Sequence, residues 1–599
     1  MTNDSKVLRA FHQNAFKIVF LACVAMVVFR AAFAGINLYE SYGNKGNDDI
    51  MRLLSVRDWL AGQAWYDVAQ YRLLPPDGVS LHWSRYIDFG IALFIVPLSW
   101  ILPMPVAEIV AAGIWPTMIQ IIALICVGFG TRRLFDDYAA CFAMLGLVIW
   151  PLTGAMHASA GNLDHHNVQM LMMTILSFAL VWPERALVAG AIAGVAGAFS
   201  LAVGLESIVF VVGVGAIALV RAALLRSVQT RQFLTAFCGV LLLASAVFWI
   251  GQTGPENRTA LICDQLGIPT LLMVVIASAA SLSVIVAARA GVSSIFALAA
   301  AASVTVVGLL FAWPFVAHCV SGPYGQLPPQ MIELINTQII EAKPGIVYAL
   351  EKPQVALVLV LPIFGALLAG AILWFNARSV QSLEQQNETL GLLILLCLLG
   401  VPMMLLQMRA VTISATVVPM IAGAVLAAQL RSYLDSRDMV GGLRMILLGM
   451  VLLAPVTVVQ AIAPFISQPE NDGTTDQADC RLRSSMITLN EVTPVVIFNH
   501  LNYGPALMWA THHSVTAAPY HRSADAFLNG ILPFEMEEAE FAEYVNGTPA
   551  THLLLCKDTA YKSDFLTDIA AGADAAWLRR VPVSAQEQML FEIVPSDMP

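Results

Sequence analysis

Long apolar segments, in which charged side chains are nearly absent, constrain the fold of this chain more than any other feature. Only 12% of the 599 residues are charged and 58% are hydrophobic, whereas soluble proteins carry about 25% charged residues. Because about 20 apolar residues suffice for a helix to cross a bilayer, we predict a mainly α-helical polytopic membrane protein with about 13 transmembrane helices. The predicted spans are residues 14–35, 106–129, 138–155, 166–182, 186–203, 205–223, 232–250, 267–288, 292–314, 354–376, 388–406, 411–430 and 442–463.

The apolar segment 88–104 is short and bounded by prolines, so we predict a helix that lies at the membrane interface. With this segment left out of the count, the basic clusters fall in alternate loops, including Arg132-Arg133 and the N-terminal tail with Lys6 and Arg9. Since short cytoplasmic loops are enriched in Lys and Arg, we expect the N-terminus to be cytoplasmic. The net charge of −10 argues against a nucleic-acid partner.

This orientation places three large segments on the non-cytoplasmic side. They are a first outer loop (residues 36–87), a long outer loop (residues 315–353) and the C-terminal tail (residues 464–599). We predict a transmembrane catalytic domain over residues 1–463 and a small α/β domain over residues 464–599. Within the tail, short apolar runs predict three strands, at residues 494–498, 552–556 and 588–594. Residues 534–545 have the pattern of an amphipathic helix.

The cysteines divide between membrane and outer segments. Five of the nine fall within predicted spans, and no CxxC pair is present, which argues against a zinc ribbon. The other four lie in outer segments. We therefore hypothesise the disulfides Cys263–Cys319 and Cys480–Cys556, which require an oxidising compartment.

The first outer loop carries an acidic pair, Asp48 and Asp49, directly after Asn47. Asn47 is a good N-cap residue, so a short helix is predicted to begin there. The simple alternative is a solvated loop with capping Asp residues, but the density of Asp, Arg, Trp and His in the loop favours function. The pair are candidate catalytic carboxylates, and the loop's candidates for binding a donor phosphate or substrate are Arg52, His82 and Arg85.

A second motif, Asp164-His165-His166, stands where one predicted span ends and the next begins. Asp164 can cap the following helix, but capping does not explain two adjacent histidines. Carboxylate and imidazole groups are ligands for divalent cations, which makes Asp49, Asp164 and His166 a candidate set for Mg²⁺ or Mn²⁺. Alternatively, the Asp acts as a general base while the histidines bind a phosphate.

Further polar groups are predicted on the same outer face. Glu206 stands in an otherwise apolar run, and an ionisable residue there indicates function. Arg409 is a lone outer cation suited to a phosphate, although it can also serve as a snorkelling anchor. The long outer loop contains Glu341, and a loop of this length is typical of a functional lid. In the tail, the candidate substrate-binding side chains are Tyr520, His521 and Arg522.

The order and sidedness of these motifs resemble the GT-C superfamily of membrane glycosyltransferases, in particular the branch with the oligosaccharyltransferase catalytic subunit. Asp48-Asp49 is similar to the family's first-loop acidic site and Asp164-His165-His166 to its second acidic motif. Glu341 is similar to the lid-loop glutamate, and Arg409 to the arginine near the lipid phosphate. The Trp-Trp-Asp motif that reads the acceptor sequence of protein N-glycosylation is absent, which favours another acceptor.

The resemblance implies a polyprenyl-phosphate sugar donor and an envelope acceptor, which is a glycan, a lipid or a protein. One of Asp48 and Asp49 would accept the proton of the attacking hydroxyl group, and Arg409, helped by His165 and His166, would bind the lipid phosphate. The expected location is a bacterial inner membrane, with the site and the tail periplasmic. The competing hypothesis is a transporter or flippase for lipid-linked sugars, but the spans have little charge through their depth and no visible repeat.

Overall fold

Long apolar helices dominate the computed structural model, which describes residues 3–182, 184–322, 324–325, 327–377, 384–466 and 479–595. Nine helices in these ranges are long and apolar enough to cross a membrane. They are Asn14–Gly35, Met104–Leu134, Ala186–Val203, Ile208–Leu225, Val228–Gln252, Ile268–Arg289, Ser294–Cys319, Pro353–Ala377 and Glu384–Leu406. The chain is therefore a multi-pass membrane protein, and the predicted fold class is confirmed.

The exact number of spans remains a prediction. Two further apolar segments are bent pairs, Met408–Ala415 with Val418–Ser436 and Met439–Leu453 with Pro455–Phe465, which raise the count to 11 if each pair is one span. Two others of the 13 predicted spans correspond to shorter helices, Asp137–Ile149 and His166–Val181. At 1.5 Å per residue, the second of these is about 24 Å long, which is less than the roughly 30 Å hydrocarbon core of a bilayer.

The predicted interfacial segment forms the helix Arg85–Ser99, whose N-cap is Ser84. With 15 residues it is about 22 Å long, too short to span. It packs against Met104–Leu134, and Trp100 and Ile101 beyond its C-terminal end are each 79% exposed. Exposed aromatic and apolar side chains at this position suit the boundary between lipid and water.

The first outer loop folds into short elements beside the membrane helices. They are the helices Leu38–Ser41, Tyr42–Asn44 and Asn47–Leu60, and a pair of two-residue strands, Ala69–Gln70 and Val79–Ser80. The N-cap of the helix Asn47–Leu60 is Gly46, so the predicted capping role of Asn47 was wrong. The Asn47 side chain instead bonds Asn502 and Arg481 of the tail, which draws it away from the helix terminus.

The tail contains a five-stranded mixed sheet in the order Ser514–Val515, Val496–Phe498, His552–Cys556, Gln588–Ile593 and Leu578–Arg580. The first three strands are parallel and the last two antiparallel. Helices Glu538–Asn546 and Asp564–Ala571 contribute Phe541 and Leu566 to the core that covers the sheet. Both hypothesised disulfides are present, Cys263–Cys319 and Cys480–Cys556.

The first outer loop is joined to the tail through backbone groups. Leu73 and Val515 form a parallel β-bridge where the loop meets the sheet edge, and the Leu74 amide donates to the Val515 carbonyl at 2.9 Å. The Arg72 guanidinium donates to the Thr511 carbonyl at 2.8 Å, and that of Arg57 donates to the Trp509 carbonyl at 3.1 Å. These bonds hold the tail over the loop that carries the first acidic motif.

Candidate active site

The two acidic motifs, far apart in the sequence, meet through Asp49. Its side chain is only 7% exposed, and Oδ1 accepts hydrogen bonds from the Leu163 amide at 2.7 Å and the Asp164 amide at 2.9 Å. Consecutive residues on a helix point about 100° apart, so Asp48 cannot make the same contact. Asp49 therefore holds the second motif beside the first, while Asp48 points elsewhere.

The second motif forms a chain of alternating acidic and imidazole groups. Asp164 Oδ1 lies 2.6 Å from His165 Nδ1, and Oδ2 lies 3.2 Å from His166 Nε2. On its other side, His165 Nε2 lies 3.2 Å from Glu206 Oε2. Gln169, which sequence reasoning missed, donates to the same Glu206 oxygen at 2.9 Å. His165 therefore lies between the carboxylates of Asp164 and Glu206, whereas His166 contacts only that of Asp164 among the described residues.

Burial and like charge shape the acidity of these groups. Burial raises the pKa of Asp48 well above its usual range, and the carboxylates of Asp164 and Glu341 raise it further. Burial likewise raises the pKa of Asp49 to about 7. Burial alone would lower the pKa of His165, but Asp164 and Glu206 outweigh it and raise that pKa to about 10. His165 is thus an imidazolium that offsets only part of the acidic charge around Asp48.

The lid places a carboxylate and a phenol near this cluster. Glu341, in the short helix Ile340–Ala342, is exposed and lies within electrostatic range of Asp48 and Arg409. The Arg409 guanidinium donates to the Tyr324 hydroxyl at 3.3 Å and to Gln407 Oε1 at 3.1 Å. Arg409 therefore lies beside the acidic cluster, with its orientation set by a lid residue that sequence reasoning did not select.

The structure gives Arg52 and Arg85 different surroundings. Asp88, which sequence reasoning missed, pairs with Arg52 at 3.1 Å and with Arg85 at 2.9 Å. Arg85 also donates to the Ser55 carbonyl and to Gln63, so it supports the loop from inside. Arg52 is fully buried against the Trp83 ring at 4.4 Å, yet its Nε and Nη2 make no hydrogen bond within the described residues. Arg52 thus has two buried donors without a partner in the described part of the chain.

The candidates from the tail gather beside the lid. His521 and His82 have ring centroids 4.6 Å apart, and Tyr324 packs edge-on to His521 at 5.2 Å. Asp264 pairs with Arg522 through both carboxylate oxygens, at 2.7 and 2.8 Å. Asp264 adjoins Cys263 in a short outer loop, and no sequence pattern distinguished it from a capping residue.

Tyr520 connects the tail to the first motif rather than to this histidine pair. Its hydroxyl donates to the Asn47 carbonyl at 2.9 Å, and its ring packs edge-on to Trp83 at 5.4 Å. Burial raises the pKa of Tyr520 well above its usual range, and the Asp48 carboxylate adds to the effect. Tyr520 therefore lies within electrostatic range of Asp48 as a neutral phenol.

Two groups of side chains in the described ranges bring three metal-ligating atoms within 4.8 Å of one another. One is His82, Asp264 and His521; the other, Cys263, His318 and Cys319, has its thiols in a disulfide. The candidate set Asp49, Asp164 and His166 is neither of them. Asp49 Oδ1 accepts two backbone hydrogen bonds.

No protein-family model and no curated protein sequence matches this chain. Solved structures do. The archaeal oligosaccharyltransferase AglB from Archaeoglobus fulgidus, in complex with an inhibitory peptide and a dolichol-phosphate, matches with a TM-score of 0.63 at 12% identity, covering 98% of this chain and 75% of that chain. The Archaeoglobus fulgidus oligosaccharyltransferase tethered to an acceptor peptide with an NVT sequon gives 0.65 at 13% identity, covering 98% and 75%.

A third structure, the Archaeoglobus fulgidus oligosaccharyltransferase complex with Zn and sulfate, gives a TM-score of 0.57 at 13% identity, covering 96% of this chain and 74% of that chain. At such low identity the similarity is one of fold. It extends over nearly the whole chain, from the membrane helices to the C-terminal sheet.

Proposed function

We propose, on the premise that this chain has the GT-C fold of those oligosaccharyltransferase structures, that it is an integral-membrane glycosyltransferase. It moves a sugar from a polyprenyl-phosphate donor to an envelope acceptor. The observation that carries the proposal is the meeting of Asp48, Asp164 and Glu341, from the first outer loop, the second motif and the lid. Carboxylates brought close together raise one another's pKa, and a strongly shifted carboxyl group among them indicates a site built for a reacting ligand.

Asp48 is the proposed general base. The acceptor hydroxyl attacks the anomeric carbon, the bond from that carbon to the donor phosphate breaks, and Asp48 takes the hydroxyl proton. A base works best when its pKa lies near the working pH, and the raised pKa of Asp48 agrees with that role. Asp49 positions the second motif through the Asp164 amide.

Arg409 and Arg52 are the proposed partners of the donor phosphate. The leaving polyprenyl phosphate is already an anion, so it needs charge stabilisation rather than a proton. Arg409 is held beside the acidic cluster by Tyr324, and Arg52 retains two buried donors. That the related AglB structure holds a dolichol-phosphate supports a lipid-linked donor.

The acidic cluster also fits a divalent cation, because Asp48 remains surrounded by carboxylates that His165 only partly offsets. Asp164 and His166, whose Oδ2 and Nε2 atoms lie 3.2 Å apart, would hold Mg²⁺ or Mn²⁺ and leave Asp48 free to act as the base. When bound, the ion would offset negative charge on the leaving phosphate. Asp49 would orient the second motif rather than the ion, because its Oδ1 accepts the Leu163 and Asp164 amides.

The proposed location is a bacterial inner membrane, with the site on the periplasmic side. Two observations support this orientation. The basic loops alternate with the loops that form the site, and both disulfides lie in segments on the site's side of that alternation. Disulfides persist in oxidising compartments such as the periplasm.

A radiolabelled polyprenyl-phosphate sugar tests the transferase against the transporter. Proteoliposomes containing the full chain, donor and membrane-fraction acceptors should release polyprenyl phosphate and label the acceptor. The Asp164→Asn variant should insert into the same proteoliposomes but release no polyprenyl phosphate. If labelled donor changes leaflet while no polyprenyl phosphate is released, the chain is a transporter and the proposal is wrong.

A further inference from the structure

A groove between two membrane helices leads to the first outer loop. It lies between the helices Asn14–Gly35 and Met104–Leu134 and has a volume of about 510 Å³. Apart from Thr117, its lining residues are aliphatic residues, glycines and a methionine. The Thr117 hydroxyl donates to the Gly113 carbonyl at 2.7 Å. The groove therefore presents a hydrocarbon surface with no free side-chain donor, which suits a lipid chain.

The groove occupies only the half of these helices that faces the first outer loop. In the other half, Cys23 and Val27 of the first helix share a core with Leu124 and Val127 of the second. The groove is lined by residues within 28–38 and 109–122, among them small residues such as Gly35. A chain in the groove would therefore lie in the bilayer leaflet next to the proposed site.

Lys45 lies at the end of the groove that is nearer the site. The landmark is Gly161, whose φ is +94° and whose amide donates to the Ala112 carbonyl at 2.9 Å. A Cβ on Gly161 would come within 3.0 Å of Cδ1 of Leu38, a lining residue of the groove, and within 2.7 Å of Lys45 Cε. The lysine side chain therefore lies between the groove and the turn that precedes Asp164.

The charge of Lys45 suits an anionic group. Its ammonium has no ion-pair partner among the described residues, although Asp49 lies within electrostatic range. Burial lowers the pKa of Lys45, and the Asp49 carboxylate offsets only part of this effect. An anion bound beside Lys45 would favour the charged ammonium, and lysine is a common phosphate binder.

We infer that the groove and Lys45 bind an anionic lipid and that this lipid is the sugar acceptor. Its hydrocarbon chain would lie in the groove and its headgroup phosphate beside Lys45. The inference rests on the proposed function, of which it names the acceptor class. A headgroup hydroxyl oxygen bonds to the anomeric carbon, the bond from that carbon to the donor phosphate breaks, Asp48 takes the hydroxyl proton, and polyprenyl phosphate leaves.

A headgroup anchored at Lys45 can reach the proposed base. Consecutive Cα atoms are 3.8 Å apart, so the Cα atoms of Lys45 and Asp48 are separated by at most about 11 Å. A glycerol or sugar headgroup spans a distance of this order. The phosphate at Lys45 and the attacking hydroxyl at Asp48 can therefore belong to one lipid.

The two cations proposed for the substrates come from different segments. Arg409 lies within electrostatic range of Glu206 and Glu341, whereas Lys45 lies within range of Asp49. In a direct displacement the acceptor hydroxyl attacks from the face opposite the leaving phosphate. Separate anchors for the donor phosphate and the acceptor phosphate are what such an approach requires.

Photocrosslinking tests the lipid site independently of transferase activity. The full chain is reconstituted in phosphatidylcholine vesicles that contain a phosphatidylglycerol probe or a phosphatidylcholine probe, each with a diazirine on its acyl chain. Mass spectrometry then maps the labelled peptides. We expect residues 28–38 and 109–122 to be labelled several-fold more by the phosphatidylglycerol probe. This preference of the wild-type chain is a result that does not depend on how any variant folds.

Three variants identify the groups responsible. Lys45→Gln should remove the preference for the anionic probe, and Gly35→Leu should reduce labelling by both probes because its side chain fills the groove. The matched control is Gly239→Leu. Gly35 and Gly239 are both exposed helix positions with open space around them, but Gly239 is outside the groove, so its variant should keep wild-type labelling. Equal labelling by the two probes in the wild-type chain, or unchanged labelling in both Lys45→Gln and Gly35→Leu, would overturn the inference.

The acceptor role is tested with a radiolabelled polyprenyl-phosphate sugar and lipids extracted from the membrane fraction. Label should appear in a lipid that chromatography separates from the donor, and Lys45→Gln should raise the KM for the lipid acceptor more than it lowers kcat. Release of polyprenyl phosphate with label only in protein or polysaccharide would overturn the lipid acceptor and leave the proposed function standing. No release with any acceptor would instead contradict the proposed function, and the inference with it.

Discussion

Acidic side chains have opposite surroundings at the two ends of the helix bundle. At the end away from the site, carboxylates pair with arginines on the surface: Asp137 with Arg132 at 2.7 Å, and Glu388 with Arg221 at 2.6 Å. At the site end, Asp48 is surrounded by Asp49, Asp164 and Glu341. The site end also has arginine-paired carboxylates, such as Asp264 with Arg522, but Asp48 differs from all of these because its neighbours are mainly other carboxylates.

This difference in surroundings distinguishes exposed, ion-paired carboxylates from carboxylates that take part in the proposed reaction. Exposed ion pairs contribute about 0–1 kcal/mol each, and so they can be changed with little effect. Crowded carboxylates destabilise the folded state, and proteins retain them where they bind a ligand or take part in a reaction. The comparison predicts that conservative substitutions will have large effects at the site end and small effects at the other end.

The largest expected effect is that of Asp48→Asn on transfer. Asparagine keeps the size of the side chain but cannot accept the hydroxyl proton, so the rate should fall by about 10²–10⁴-fold, the usual contribution of a general base. Single-turnover release of polyprenyl phosphate measures it. Asp137→Asn at the opposite end is the matched control. If both variants keep wild-type rates, the assigned contrast between the two ends is wrong.

Substitutions of Asp49 should have different effects from substitutions of Asp48, because the Asp49 side chain serves as a hydrogen-bond acceptor. Asp49→Ala leaves the buried Leu163 and Asp164 amides without a partner, which should cost about 1–3 kcal/mol of stability and displace the second motif. Asp49→Asn keeps an acceptor oxygen, so it should retain most of the stability and activity. Denaturation in detergent and transfer assays measure both. Equal losses in the two variants would mean that Asp49 acts through its charge.

The pH dependence of stability sharpens the same contrast. Burial raises the pKa of Asp49 to about 7 and that of Asp48 in the same direction. A carboxyl group with a raised pKa binds its proton more tightly in the folded state, so its stabilising contribution is complete below about pH 4 and is lost as the pH rises through about 7. The Tm of the metal-free wild-type chain should therefore fall, relative to Asp48→Asn/Asp49→Asn, over this window. A wild-type Tm that stays level with that of the variant, or rises relative to it, over this window would contradict the assignment.

The sequence was sufficient for the membrane architecture, because apolar length and charge depend on local composition. The predicted spans coincide with helices, and the two disulfide pairs were correct. The strands of the tail followed from short apolar runs such as His552–Cys556. The capping role of Asn47 was wrong, since a contact with Asn502, 455 residues away, outcompetes a local one.

The division of labour within the site could be predicted only in part. Helical geometry already implies that Asp48 and Asp49 diverge, but which of them faces the second motif depends on where residue 163 lies in space. Asp88 could have been found, because it stands three residues after Arg85 on one helix and pairs with it. Asp264 was missed because its partner Arg522 comes from a distant segment. Pairings of this kind leave no periodic signal along the chain.

The smallest expected effect is at the ion pair between Arg221 and Glu388, whose side chains are 24% and 51% exposed. Glu388→Gln should change the free energy of unfolding by less than about 1 kcal/mol, and high salt should reduce even that difference, because exposed charges are screened. Denaturation at low and high ionic strength measures it, with transfer as the second readout. A loss of transfer here, with stability intact, would show that the end away from the site also takes part in function, and the contrast between the two ends would no longer separate chemistry from solubility.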